Sequence, residues 1–501
     1  MITAAATSDV SAAEYWCGAV ARHPERSFLR TGARDYTYAQ FDDWVRVVAA
    51  RLAERGVSPG DHVAIVLGST PIHLAILAGL TLRGAVAVPL DPTHPVAELR
   101  ELIERGGAGS VIADGVSRLP EALDVAALAA QPNEDDARAT PEPDVAPTDP
   151  WAILFTSGST SKPRGVIVPQ RAFGVTGHAL AQAHAYTGTD TILSVQPLHH
   201  ASATLMSWAP CVAAGAALAL VERFSVSGFW ELVRTAGATA AIVVPTIAEL
   251  LLAGPRSDRD RDHPLRLLVT HYDVPEFADR FGVEVRTLWG MTETSGLGLT
   301  RYAGDPVTRG GVGRPYPSDA RLRLVDEAGL EVAPGEMGEL LFTHPAVMIG
   351  YHGEPAPPDG WIRSGDLMRR LPDGGFAYLG RAKAVIKRGG ENISAHELER
   401  VIADHPSVRE VTVVSVPDPV FVEEACAVVV WASEPDAAGV RGYCRDRLAD
   451  WKVPRYIAGW PDELPKLSNH KIDRGRVSAG LDLSSADDRG ARTRPGRSSD
   501  V

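Results

Sequence analysis

The segment 153–170, ILFTSGSTSKPRGVIVPQ, concentrates the residue types that handle phosphate. An apolar run enters a loop of small, hydroxyl-bearing and glycine residues; a basic residue follows, and a second apolar run leaves. Small side chains let backbone N–H groups approach an anion, and Ser/Thr hydroxyls add donors for phosphate oxygens. The GxxxxGK[ST] spacing of a P-loop is absent. Taken alone, the segment is as compatible with a flexible polar turn as with a phosphate cradle. His199 and His200 adjoin, but no third ligand stands at metal-site spacing, so a metal centre there is not expected.

Positioning such a loop takes strands, and the first 300 residues alternate short β-branched runs with helical patterns. HVAIVL (62–67), AVAVPL (85–90), SVIAD (110–114) and AIVVP (241–245) read as buried strands. AQFDDWVRVVAARLAERG and PVAELRELIERGG read as amphipathic helices. This alternation implies a mainly parallel sheet with helices packed on it. The proline- and acid-rich stretch 131–150 reads as a loop. From Gly380 a smaller α+β unit is expected. Ser394 and Glu397 form a capping box opening a helix, strands follow at 408–416 and 424–431, and another helix lies near 437–449. The polar tail from Ser484 reads as disordered.

The 501 residues, 45% hydrophobic and 23% charged, suit a large globular chain of more than one domain. A net charge of −13 argues against a general nucleic-acid binder. Four cysteines without short paired spacing suggest neither a zinc site nor a disulfide framework. The longest apolar run, 208–221, contains Pro210 and falls short of the ~20 residues a membrane span needs. No basic start or long apolar stretch marks a leader, so a cytoplasmic protein is expected. Lysine is rare: it occurs only at 162, 383, 387, 452, 466 and 471, against 44 arginines.

In order along the chain, 153–170, WGMTET (289–294), RSGDL (363–367), GRAKAVIKRGGENISAHELE (380–399) and LPKLSNHKIDR (464–474) resemble the motifs of the adenylate-forming superfamily. Its members include acyl-CoA ligases, peptide-synthetase adenylation domains and beetle luciferases. They join a carboxylate to AMP, release pyrophosphate and pass the acyl group to a thiol. The resemblance runs from about residue 12 to 478. It implies an α/β protein with a large N-terminal domain of mainly parallel sheets with packed helices (1–380). A small mobile α+β C-terminal domain (381–480) and a tail (481–501) would follow.

The resemblance also assigns residues. Thr156, Ser157, Gly158, Ser159, Thr160 and Arg164 would cradle the phosphates. Glu293 would hold Mg²⁺, as an oxygen ligand suited to a hard cation, and Thr292 would touch a phosphate. Trp289, in place of the family's tyrosine, would stack on adenine, with Gly290 and Met291 beside the nucleotide. Asp366 would accept hydrogen bonds from both ribose hydroxyls, for which a carboxylate offers two oxygens, and Arg381 would also contact the ribose. Lys383 sits at the hinge position, and Gly389 and Gly390 would line the pantetheine channel, too thin for a side chain. Lys471 matches the lysine bridging the substrate carboxylate and the α-phosphate.

Several positions depart from the pattern. Ser161 replaces a glycine and Arg164 a lysine in the phosphate loop, and His470 replaces the glycine before Lys471. Thr270, His271 and Tyr272 stand where a smaller stretch usually lines the adenine pocket. QPLHHASATL (196–205) resembles the acyl-pocket motif, with His200 at the gating position. It lacks the aspartate that amino-acid-activating relatives carry, and Ala201 and Ala203 suggest room for a bulky acyl group.

These motifs imply an acyl-CoA ligase using ATP, Mg²⁺ and CoA to activate a non-amino carboxylic acid, with Lys471, Glu293, Thr292 and His200 as the catalytic group. Three alternatives stay open. The acceptor would be a carrier protein's phosphopantetheine; or the chain would perform only the thioester-forming half on preformed acyl-AMP from a partner enzyme; or it would bind nucleotide without catalysis.

Overall fold

The computed structural model describes residues 9–32, 34–114, 119–129, 145–156, 163–271, 274–308, 311–357, 359–382, 385–388, 391–418, 421–466 and 472–488. Two compact units result. One comprises Met1–Arg323, Leu341–Arg363 and Asp373–Phe376; the other comprises Leu324–Leu340, Ser364–Pro372 and Ala377–Val501. The boundary expected at 380 falls inside the strand Phe376–Arg381, because the preceding stretches 324–340 and 364–372 cluster with the C-terminal residues.

The first unit carries two sheets. In one, the strands run in the order Gly350–Tyr351, Arg164–Pro169, Pro150–Thr156, Val86–Leu90, His62–Val66, Ser110–Ala113 and Leu123–Asp124. All five residues of Val86–Leu90 are buried, the uninterrupted apolar run expected of a parallel strand covered on both faces. The helix Tyr38–Glu54 starts at a Thr37/Gln40 capping box and buries Phe41, Trp44, Val45, Val48 and Leu52 along one face. It packs on Pro71–Arg83, which opens with a Thr70 cap and Pro71 and closes at left-handed Gly84 (φ 66°).

In the other sheet, Asp35–Thr37, Ser27–Arg30, Ala217–Leu220, Thr191–Ser194, Ala240–Ile242, Leu267–Thr270, Glu284–Gly290, Gly298–Thr300 and Gly311–Tyr316 lie side by side in that order. The strands from Ser27–Arg30 through Glu284–Gly290 are mutually parallel. Their core is filled by Phe229, Phe277 and Phe281 against Val243, Leu268 and Val285. The apolar run 208–221 resolves into three pieces. The π-helical turn Thr204–Trp208 leads into the helix Ala209–Ala214, Gly215 reverses the chain at φ 65°, and Ala217–Leu220 enters the sheet. Among the described residues, no helix is long and apolar enough to cross a membrane.

The second unit takes most of the neighbouring strands Arg321–Val325, Met337–Thr343, Ile362–Arg370 and Phe376–Arg381, plus a separate sheet. There Val422–Trp431 is central, pairing antiparallel with Val408–Asp418 and parallel with Tyr456–Gly459. Its Ala427 and Val429 face a core with Leu398, Ile402 and Val413, while Cys426, Val428 and Val430 face another with Leu464 and Val477. Burial on both faces explains why this strand reads as an unbroken apolar run. Ser394 caps the helix Ala395–Ala403 by accepting from the Glu397 N–H at 3.0 Å. Within the stretch whose composition reads as a tail, Leu483–Ser485 forms a 3₁₀ turn and Asp487–Asp488 pairs antiparallel with Tyr456–Ile457 at the sheet edge. Charge holds it there: Arg441 pairs with Asp487, and Arg455 with Asp488 at 3.0 Å.

Candidate active site

The strands flanking the phosphate-like loop form an antiparallel pair with Thr156 opposite Arg164. Ser157, Gly158, Ser159 and Thr160, with Ser161, lie outside the described residues. Arg164 is fully engaged: its Nε donates to Glu354 Oε1 at 3.0 Å, its Nη2 pairs with the other oxygen, and its guanidinium carbon lies 3.3 Å from the Tyr351 ring centroid. The guanidinium in turn holds Glu354 below the usual carboxylate range.

Glu293 stands on a turn following the strand Glu284–Gly290. Ser295 N–H bonds the Thr292 carbonyl at 2.8 Å and Gly296 N–H the Met291 carbonyl at 3.1 Å. Three buried hydroxyls fasten this turn. Thr294 donates to the Met291 carbonyl, Thr176 to the Ser295 carbonyl at 2.9 Å, and Tyr316 to the Gly296 carbonyl at 2.6 Å. Ser295 adopts a left-handed conformation (φ 55°), which costs a non-glycine residue about 1–2 kcal/mol. Such strain persists only where its surroundings over-determine it. Met291, Thr292 and Glu293 are half-buried, so the turn presents them at a rim. Tyr351 donates its hydroxyl to Glu293 Oε1 at 3.0 Å. Burial, and then the Glu293 carboxylate, push the Tyr351 phenol well up, so it remains a donor at neutral pH. Glu293 fits a magnesium ion, being a carboxylate oxygen donor on a braced backbone of the kind that shares this cation with phosphates.

Trp289 is placed differently from the sequence expectation. It is 7% exposed, with its ring tilted against Phe342 at 6.5 Å, which leaves little indole face for a base. Gly290 sits in a tight spot: a Cβ there would lie 3.0 Å from Met206 Cε and 3.3 Å from the Gly296 and Leu297 carbonyls, so those neighbours would have to give by a few tenths of an ångström. His271 is exposed at the end of Leu267–Thr270, and Tyr272 lies outside the described residues.

His200 is exposed and precedes the short helix Ala201–Ala203, its ring 4.4 Å from that of His199. Burial, and then the His200 ring, pull His199 down to about 3, so it is neutral. Its 3.9 Å approach to Asp91 is contact rather than a hydrogen bond. Ala203 has no exposed surface and Ala201 only 8%, so Ala203 lines no open pocket here. The small side chains serve packing instead. They lead into the π-helical turn, whose Leu205 and Met206 press on Gly296 and Gly290.

In the second unit, Asp366 is nearly fully buried. Arg381 Nε lies 3.0 Å from Asp366 Oδ1 while its Nη1 donates to the Ser364 carbonyl at 2.9 Å. Tyr378 approaches the same Oδ1 at 3.4 Å, and its phenol is pushed up by burial and then by Asp366. Gly365 (φ 67°) makes the bend that turns Asp366 inward, its N–H held by Glu339 at 3.1 Å. Lys383, Gly389, Gly390, His470 and Lys471 lie outside the described residues.

The residues sequence reasoning missed are Tyr351, Glu354, Thr176, Tyr316 and Met206. Only Tyr351, in an apolar-flanked Gly-Tyr pair after a strand, carried any local signal.

Known proteins bear on this geometry. The family described as AMP-binding enzyme matches residues 18–352, and the one described as AMP-binding enzyme C-terminal domain matches residues 397–471. A sulfoacetate–CoA ligase of Cupriavidus necator is 32% identical over 84% of this chain and 88% of its own length. A crotonobetaine/carnitine–CoA ligase of Salmonella enteritidis is 27% identical over 88% of this chain and 92% of its own. Among solved structures, an O-succinylbenzoate coenzyme A synthetase of Bacillus subtilis, in complex with ATP and magnesium, superposes with a TM-score of 0.80 at 25% identity. That match covers 93% of this chain and 99% of that one.

Proposed function

The chain belongs to the AMP-binding enzyme family, as an acid–CoA ligase of the adenylate-forming superfamily using ATP, Mg²⁺ and CoA, and from that premise we propose which residues do the work and on what acid. The substrate is a carboxylic acid without an α-amino group. The 196–205 segment offers no carboxylate to pair with an amine, and sulfoacetate and carnitine, named for the relatives, also lack that group. The observation that carries the reading is the turn holding Glu293, braced by three hydroxyls and presenting its carboxylate at a rim.

In the first half-reaction the acid's carboxylate attacks the α-phosphorus of ATP and pyrophosphate leaves. Magnesium, when bound, neutralises charge on the phosphate oxygens. Glu293 would hold it, and Thr292 would offer a hydroxyl to a phosphate. Lys471 bridges the attacking carboxylate and the α-phosphate, where negative charge accumulates. Asp366 accepts from the ribose hydroxyls, and Arg381 pairs with that buried carboxylate through its Nε. In the second half-reaction the thiolate of CoA attacks the acyl carbonyl and AMP leaves. No covalent enzyme intermediate is needed, because the adenylate itself supplies the leaving group.

A second reading, restricted to the second half-reaction, is favoured by one observation: Arg164, at the family's phosphate-loop lysine position, is committed to Glu354. Assaying the two half-reactions separately, in the unmodified enzyme and in Lys471→Ala, separates the two. With a panel of acids including sulfoacetate, crotonobetaine and carnitine, the variant should lose roughly 100–1000-fold in ATP–pyrophosphate exchange, the order of one lost oxyanion donor. Thioester formation from synthetic acyl-AMP and CoA should fall less than about threefold, since Lys471 is assigned to the other step. Equal loss in both halves would sink the assignment of Lys471. Absence of exchange in the unmodified enzyme, with acyl-AMP still consumed, would establish the second reading.

A further inference from the structure

One connected set of contacts in the first unit runs from the phosphate-loop strand to the Glu293 carboxylate. The Arg164 guanidinium lies over the Tyr351 ring, forked onto Glu354, and the Tyr351 hydroxyl bonds Glu293 Oε1. The backbone is stitched along the same line. Met348 N–H donates to the Glu293 carbonyl at 3.0 Å, Gly350–Tyr351 pairs with Val166 and Ile167, and His352 N–H donates to the Gly165 carbonyl at 2.8 Å. A half-exposed glutamate otherwise samples several rotamers, and ordering it opposes binding by the entropy lost. Here one carboxylate oxygen is held by a phenol whose own ring is clamped.

We propose that Tyr351 is a positioning residue: it locks Glu293 in the rotamer that turns Oε2 toward the divalent cation accompanying ATP, and the Arg164–Glu354 pair locks Tyr351. This inference rests on the reading of Glu293 as the magnesium ligand. It also gives the arginine at 164 a reason. A planar guanidinium can stack on a phenol and fork onto a carboxylate at once, whereas an ammonium, a point charge without a fork, cannot make the bidentate pair while covering the ring. Arg164 therefore acts through Tyr351 as a buttress, and its charge is balanced by Glu354 before any phosphate arrives.

The test is binding. Mg·ATP and AMP are titrated separately by calorimetry into the full chain, and Mn²⁺ binding to the enzyme–ATP complex is followed by electron paramagnetic resonance. Tyr351→Phe should weaken Mg·ATP and Mn²⁺ by about tenfold, the usual consequence of losing an outer-shell partner, while AMP stays within about twofold. Glu354→Gln and Arg164→Lys should shift Mg·ATP in the same direction by about threefold, since each loosens the clamp without removing the phenol. Tyr351→Phe binding Mg·ATP as tightly as the unmodified enzyme, or losing AMP and Mg·ATP equally, would overturn the proposal. If ATP binding to the unmodified enzyme does not depend on the cation at all, the reading of Glu293 fails and takes this inference with it. If cation dependence is present and Mg·ATP and Mn²⁺ bind all three variants as tightly as the unmodified enzyme, the inference alone fails.

Discussion

Replacing Thr176 by valine removes one hydroxyl and keeps the shape of a fully buried side chain, so its effect follows from a single bond. That hydroxyl donates to the Ser295 carbonyl at 2.9 Å, between residues with no exposed surface. A neutral hydrogen bond contributes about 0.5–1.5 kcal/mol net, but stranding a buried acceptor costs about 1–3 kcal/mol. Valine leaves the carbonyl stranded, so the larger range applies. Ser295 meanwhile sits at φ 55° with its own buried hydroxyl lacking a partner, so the turn already carries strain that this bond offsets. Two measurements locate the loss. If the turn yields locally, kcat/KM for ATP in pyrophosphate exchange falls about 5–150-fold, for roughly 1–3 kcal/mol. If it holds, the same energy appears as a lower urea midpoint. Ser295→Gly relieves the left-handed conformation and deletes the stranded hydroxyl, so in the Thr176→Val background it should restore part of whichever quantity fell. The reasoning is refuted if Thr176→Val changes neither exchange nor stability, or if Ser295→Gly makes the valine variant worse.

Two further outcomes are expected. Asp366→Asn should weaken AMP and Mg·ATP alike by about 10–100-fold in calorimetry, since hydrogen bonds to a charged acceptor contribute about 1.5–3 kcal/mol and the ribose is common to both ligands; selective loss of Mg·ATP would contradict the ribose assignment. His184 is buried with neither ring nitrogen bonded, and burial, then the Arg286 charge, pull it from 6.5 to about 3. Its folded value lies below its unfolded one. The stability it contributes is therefore complete above 6.5 and is lost progressively as the pH falls toward about 3. Urea midpoints at pH 7 and 5 should show that slope, and His184→Leu should flatten it; an unchanged slope would mean the ring is not charged on unfolding.

What was legible in the sequence had a period or a cap. Val86–Leu90, Val422–Trp431 and the Thr37-capped helix announced themselves because burial on both faces, or along one stripe, leaves a mark on neighbouring residues. Glu293 and Asp366, the residues proposed for magnesium and ribose, could be named from local motifs. Their supports could not. Tyr351 reaches Glu293 across 58 positions through a two-residue strand, too short to leave a pattern. Thr176 and Tyr316 approach the turn from a helix and a strand whose other residues follow ordinary core spacing. Small residues misled for a related reason: an alanine opens space only if nothing else fills it. Ala203 is fully buried ahead of the π-helical turn, and Trp289, which the motif would give to adenine, is 7% exposed with its ring tilted against Phe342.

Asp487–Asp488, the last strand among the described residues, has a consequence for how the C-terminal sheet meets other molecules. It is two residues long and acidic, and its pairing with Tyr456–Ile457 places it at one edge of the sheet. A short, charged edge is a poor template for another chain's strand. A chain trimmed at 481 would lose this bumper and leave Arg441 and Arg455 without their partners Asp487 and Asp488. The Tyr456–Gly459 edge would then be bare beside the valine-rich Val422–Trp431, and the shortened protein would be driven toward strand-to-strand self-association by the residues that most resemble dispensable tail.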